Sequence, residues 1–139
     1  MSCVRARIDP APLDVAEHVA AVSHPAAGAV ATFVGQVRDH DPAVDGEVVA
    51  LEYSAHPDAE AVLTRIATES ARDGVLGIAV SHRVGRLAVG ELAVVAAVAT
   101  AHRQLAFEVC ADLVERLKAE LPAWKREVLV DGRAVWVGL

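Results

Sequence analysis

ELAVVAAVATAHRQLAFEVCADLVERLKAELPAWKREVLV (residues 91–130) changes its hydrophobic rhythm twice. Residues 91–101 are almost wholly apolar and rich in Val, which predicts a strand. From residue 103 the apolar positions recur at helical spacing. Ala106, Val109, Cys110, Leu113 and Leu117 share one face, with Glu108, Asp112, Glu115 and Arg116 opposite. Pro122 ends this helix, predicted over 103–121. AWKREVLV returns to alternation and pairs with AVWVG across Asp131-Gly132, a strong hairpin signal.

Working outward, VRARI (4–8) alternates as a strand, and Leu13–Val22 has helical spacing after Asp-Pro-Ala-Pro. GAVATFVGQVR (28–38) and EVVALEYSA (47–55) are β-branched strands. The loop DHDPAVDG between them predicts that the two form a long hairpin. Pro57 opens a helix to about Arg72, which Gly74 and Gly77 break. IAVSHRVG (78–85) is a further strand. Strands interspersed with three main helices predict an α+β fold with an antiparallel sheet. The 139 residues fit a single domain spanning 1–139.

The net charge of −6 argues against general nucleic-acid or anionic-membrane binding. The run Leu92–Ala101 is too short to span a bilayer, and the N-terminus has no signal-peptide core. Cys3 and Cys110 make no disulfide framework, which suits a reduced cytoplasmic setting. Cys110 falls on the buried helix face, where thiols are packing.

Only two lysines, Lys118 and Lys125, stand against eleven arginines, and both fall in LKAELPAWKRE (117–127). Arginine stays charged at any working pH, whereas a desolvated lysine can act as base or nucleophile. Lys118 neighbours Phe107, Ala111 and Val114 by spacing, an apolar flank that lowers an amine's pKa. A snorkelling lysine at a helix C-terminus explains the same position equally well. Lys125-Arg126-Glu127 lies on a strand, so its side chains alternate between faces.

Two further clusters can grip an anion. In GQVRDHD (35–41), Arg38 can fork onto a phosphate or carboxylate at a strand end. In TAHRQ (100–104), His102 and Arg103 open a helix whose free N–H groups favour an anion. Asp39-His40-Asp41 are adjacent on a loop and do not form a metal set. No Walker loop or GxGxxG occurs, which argues against a nucleoside triphosphate. Arg103 and Lys118 are about 22 Å apart along one helix. If both serve one pocket, His102 and Arg103 come from a second copy of the chain.

GAVATFVGQVRDHD, SHRVGRLAVGE, TAHRQLAFE and LKAELPAWKRE, in this order and spacing, resemble the signature segments of the molybdopterin synthase catalytic (large) subunit family. The resemblance covers roughly residues 28–137. It implies an α/β hammerhead-type α+β domain and a sulfurtransferase. Such an enzyme converts cyclic pyranopterin monophosphate (precursor Z) to molybdopterin. The sulfur comes from a small ubiquitin-like subunit bearing a C-terminal Gly-Gly thiocarboxylate. The implied assembly is a homodimer within a heterotetramer, with no metal or organic cofactor.

The resemblance also implies roles for residues. Lys118 and Lys125 match the catalytic lysines. Gln36, Val37, Arg38, His102, Arg103, Lys118, Lys125, Arg126 and Glu127 match substrate-binding positions. Phe33, Arg38 and Val114 match the pocket for the partner's tail. The family often has lysine at Gln36 and methionine at Val114, so Gln36 is expected to contribute backbone more than charge.

Two other functions fit parts of the pattern. One is a Schiff-base lysine enzyme acting on a phosphorylated carbonyl compound, which borohydride trapping on Lys118 would reveal. The other is a non-catalytic module receiving an extended tail at a sheet edge, in which lysine substitutions change affinity alone.

Overall fold

A computed structural model describes residues 2–139. The element order is β1 (Cys3–Asp9), α1 (Val15–Ala21), β2 (Ala29–Gln36), β3 (Val48–Ala55), α2 (Ala59–Ser70), β4 (Val75–Arg83), β5 (Gly85–Ala88), β6 (Leu92–Thr100), α3 (Arg103–Glu120), β7 (Ala123–Leu129) and β8 (Ala134–Val137). The α+β class and the three helices are as expected, with the strands divided between two sheets. The first has the order β1-β4-β6-β2 and the second β5-β3-β7-β8. β1 runs parallel to β4, and every other pairing is antiparallel.

The expected β2–β3 hairpin does not form. β2 pairs with β6, Ala29 opposite Thr100 and Val34 opposite Val95. β3 pairs with β5 and β7 in the other sheet. The physical reason is burial. Residues 93–100 are all buried, so β6 needs covered neighbours on both edges, and the apolar β2 supplies one. The segment between β2 and β3 therefore crosses from one sheet to the other.

The break assigned to Gly74 and Gly77 also shifts. α2 stops at Ser70, and Gly77 sits within β4, where the ladder to β6 is irregular between Val75 and Gly77. The hairpin of β7 and β8 forms as expected.

α1 is set by Asp14, whose carboxylate accepts the Glu17 N–H. It covers a small cluster of Val22, Ala79, Ala97 and Ala99 on one face of the first sheet. His18 is pinned beneath it between the Asp14 carbonyl at 2.6 Å and Ser81 Oγ at 2.7 Å. The opposite face of that sheet meets α2 and α3 in the main core. Ile78, Val80, Leu63, Ile66, Leu113 and Leu117 are fully buried there, contiguous with Leu51, Leu87 and Leu129 of the second sheet.

α3 packs on β2 and β6 with Val109, Leu113 and Leu117. Its C-terminal end, with Lys118 in the last turn, reaches the pocket formed at the meeting of the two sheets.

Candidate functional site

A pocket of about 330 Å³ opens between the two sheets and α3. β2 contributes Phe33 and Gln36, and the segment after it Arg38 and His40. β3 contributes Tyr53, α3 Lys118, and β7 both Lys125 and Glu127. Strand alternation places Lys125 and Glu127 on one face of β7 and Arg126 on the other. Tyr53 stands opposite Lys125 in register. The two lysines singled out by composition therefore meet in one cavity, although one lies on a helix and the other on a strand.

Their surroundings differ. Among the described residues Lys118 has no salt bridge. Its residue surface is largely exposed, yet its pKa is lowered, first by the protein packed around its amine and then by the Lys125 charge, with Glu115 opposing. Lys125 is enclosed by acids. Its Nζ lies 3.8 Å from Asp41 Oδ2 and 3.7 Å from Glu127 Oε1. Glu127 is 2 % exposed. Burial, then hydrogen bonding and charge repulsion from Asp41, push its carboxyl up to about 7 despite Lys125. Asp41 moves the other way, held down first by its interaction with Glu127 and then by the Ala43 N–H.

Behind the pocket sits His82. Its Nδ1 donates to the Arg83 carbonyl at 2.7 Å, which fixes the tautomer and leaves Nε2 as an acceptor. Nε2 is buried without a partner. The ring meets Tyr53 edge-on, centroids 5.0 Å apart. Burial, with a lesser push from Lys118, depresses His82 to about 4. Burial, then the Glu127 charge, raises Tyr53 to about 12. Both groups are neutral at physiological pH, so the wall behind the lysines carries no charge.

The SHRVGRLAVGE segment that holds His82 is a structural clasp. Arg83 pairs with Glu91 at 2.8 Å, and Glu91 also accepts the Ala88 N–H at 2.8 Å. Gly85 and Gly90 adopt φ of +97° and +92°, the left-handed region that glycine enters without strain.

The remaining sequence-derived residues lie elsewhere. Phe33 and Val114 line a second, apolar cavity of about 290 Å³ with Ala31, Phe107, Cys110 and Ala111. Phe33 also lines the lysine pocket, so the two cavities adjoin at its ring. His102 and Arg103 border a separate cavity with Gln104 and Phe107 at the start of α3, apart from the lysines.

Val37 is buried and does not line the lysine pocket; its N–H and C=O are taken by Glu91 and Gly90. Arg126 faces away, donates from Nη2 to both Glu52 carboxylate oxygens at 2.9 Å, and lies over Trp136. Within one chain, then, Lys118, Lys125, Arg38, Gln36 and Glu127 come together, and Val37, Arg126, His102 and Arg103 do not.

Sequence reasoning missed Tyr53 in the pocket wall, Asp41 beside Lys125 and His82 behind Tyr53. Asp41 read as loop and Tyr53 as a strand aromatic. His82 lay within a quoted motif without a role, although its unpartnered acceptor depends on the other sheet.

An α+β domain that gathers two lysines and an arginine beside an apolar cleft has the groups to hold an anion and to move a proton. A family profile described as MoaE protein matches residues 8–120. Molybdopterin synthase catalytic subunit 1 of Mycobacterium tuberculosis is 41% identical over 135 residues, covering 95% of this chain and 89% of that protein. The molybdopterin synthase catalytic subunit of Bacillus subtilis is 37% identical over 138 residues, covering 96% and 85%. Among solved structures, molybdopterin synthase from Staphylococcus aureus superposes with a TM-score of 0.85 at 30% identity, covering 97% of this chain and 96% of that one. The chain belongs to the MoaE protein family, the family of molybdopterin synthase catalytic subunits.

Proposed function

We propose that this chain is the sulfur-inserting subunit that converts precursor Z to molybdopterin, and that Lys118 and Lys125 carry the chemistry. The observation behind this reading is the convergence of the two lysines, with Arg38, in one pocket that adjoins an apolar cleft.

The cleft, bordered by Phe33 and Val114, suits an extended Gly-Gly tail with no side chains to accommodate. The tail belongs to a small ubiquitin-like carrier subunit, whose thiocarboxylate would arrive beside the lysines. Each transfer forms a C–S bond at a pterin side-chain carbon as a C–O bond at that carbon breaks, its oxygen leaving as water or on the opened phosphate, and breaks the carrier's acyl C–S bond, with water supplying the oxygen of the released carboxylate. Lys125, an ammonium between two acids, stabilises the developing negative charge. Lys118, with its lowered pKa and no paired acid, is the better proton carrier.

Arg38 grips the cyclic phosphate within the chain, while His102 and Arg103 complete the anion grip from a second copy. The separate cavity at the start of α3 supports that division. The working assembly is a homodimer of this chain with a carrier subunit at each end, and residues 1–139 act as one domain. No described helix is long and apolar enough to cross a membrane. A cytoplasmic setting fits this biosynthetic role.

The test is to combine the chain with thiocarboxylated carrier and precursor Z and measure dithiolene product. Lys118→Ala and Lys125→Ala should each lower turnover by more than about a hundredfold, at the scale of lost acid–base catalysis, while near-ultraviolet circular dichroism stays unchanged. Wild-type turnover in either variant would refute the assignment.

A further inference from the structure

Asp39-His40-Asp41, set aside as a metal site, places one side chain where it matters. Asp41 is 13% exposed and reaches Lys125 from the segment between β2 and β3, while Glu127 reaches it from β7 itself. Its other oxygen, Oδ1, accepts the Ala43 N–H at 2.8 Å, which fixes the carboxylate against rotation. The two acids and one ammonium are nearly closed off from water, with Lys125 20% and Glu127 2% exposed. Glu127 Oε2 is buried with no hydrogen-bond partner. A second full negative charge here has only the one Lys125 ammonium to share.

We propose that Asp41 is a positioning residue for Lys125: Asp41 and Glu127 both pair with the ammonium and keep one proton between their carboxyls, so the trio carries no net charge when an anionic substrate arrives. The proposal rests on the two-lysine reading above and adds a group and a pH response to it. The raised Glu127 and lowered Asp41 agree with this sharing.

When Glu127 loses its proton to solvent, the trio becomes singly negative at the floor of an anion pocket. The charged or titratable groups around Glu127 are Asp41 from the segment after β2, Lys125 on β7 itself and Tyr53 on β3. Lys118, Arg38 and His40 line the same pocket.

Steady-state kinetics of the complex with thiocarboxylated carrier, from pH 6 to 8.5, tests this on wild type, Asp41→Asn and Asp41→Ala. In the wild type the KM for precursor Z should rise roughly tenfold across that range, the scale of one added nearby charge. Asparagine keeps the Ala43 acceptor with its one oxygen, turns its amide NH2 to the place of the oxygen that faced Lys125, and removes the charge. Glu127 then loses the contributions of Asp41 but keeps that of its burial, so it ionises at lower pH than in the wild type and pairs with Lys125 alone, and the rise in KM across the window should shrink to within about twofold. Alanine removes the clamp, and kcat at pH 6.5 should fall roughly tenfold with KM within about twofold of wild type. His40 and the substrate phosphate are the same in all three proteins and cancel in the comparison.

An Asp41→Asn curve that follows the wild-type rise, or an Asp41→Ala kcat within twofold of wild type, overturns the proposal. If Lys125→Ala is inactive and the Asp41→Asn curve is unchanged, only this inference falls. If Lys125→Ala turns over normally, the reading beneath it falls as well.

Discussion

Replacing His82 with phenylalanine should reverse sign in its effect on stability between neutral and acid pH. The ring is 1 % exposed, and burial holds it neutral down to about 4, against 6.5 when unfolded. Between those values the unfolded chain binds a proton that the folded chain refuses. Stability from this group is therefore intact above pH 6.5 and lost as pH falls toward 4, by roughly 3 kcal/mol in all.

Phenylalanine fills nearly the same volume and keeps the edge contact with Tyr53, but loses the 2.7 Å bond to the Arg83 carbonyl. That loss costs about 1 kcal/mol. His82→Phe should thus be about 1 kcal/mol less stable than wild type at pH 7.5 and about 1–2 kcal/mol more stable at pH 4.5.

Glu127 acts in the opposite sense. Its folded pKa is raised to about 7, so the folded chain binds the extra proton and gains stability as pH falls from 7. The two buried groups then oppose each other in the wild type, and the variant exposes the Glu127 slope. Urea titrations followed by circular dichroism at both pH values measure this. With a slope near 1.5 kcal/mol per molar urea, the midpoint should drop by roughly 0.7 M at pH 7.5 and rise by about 1 M at pH 4.5. Midpoints that move in parallel in the two proteins across this range would refute the reasoning.

Lys125→Arg separates charge from proton transfer. If Lys125 supplies charge alone, as its two acidic neighbours suggest, turnover should fall no more than about tenfold, whereas loss as deep as Lys125→Ala would assign it a proton-transfer role. Arg126→Ala should leave turnover within about threefold of wild type because its guanidinium is bound to Glu52 on the far face, the loss of a half-exposed ion pair being worth at most about 1 kcal/mol; a hundredfold loss would show that Arg126 reaches substrate. Gly28→Val should lower stability by about 2–3 kcal/mol in thermal unfolding, since a Cβ there strikes the Ala101 carbonyl oxygen, and an unchanged midpoint would show that the backbone yields.

How much of this was legible in the sequence depends on the range of the contacts. α3 and β6 announce themselves because helical spacing and unbroken burial are local patterns. The pairing of β2 is not local. Its alternation suits a hairpin with β3 as well as an antiparallel seat beside β6, and only the demand of a strand buried on both faces decides between them. β5, four residues that begin at the turn glycine Gly85, is too short to signal itself.

The same division runs through the site. Lys118 and Lys125 stood out because lysine is scarce in this chain. Asp41 and His82 gained their roles only when β7 and β3 came to lie against them, far away in sequence. Arg126 shows the converse: adjacency to Lys125 in sequence put it among the substrate residues, and strand alternation turned it to the other face.

The division of the anion grip between two chains can be decided by mixing inactive variants. His102 and Arg103 stand at the first turn of an 18-residue helix whose last turn carries Lys118. The two ends border different cavities. A rigid helix cannot fold its first turn back to its last, so a small substrate held by both needs two chains. Arg103→Ala and Lys118→Ala homodimers would each carry a defect in both sites. A heterodimer of the two would concentrate both defects in one site and leave the other intact. If protomers exchange freely, half the dimers are mixed and half their sites are whole, so about a quarter of wild-type turnover should return in a two-fold symmetric dimer. Refolding the variants together from denaturant ensures the exchange, and a mass label on one protomer counts the heterodimers. Heterodimers that form without recovered turnover would put Arg103 and Lys118 to work in the same chain or exclude one of them from the site.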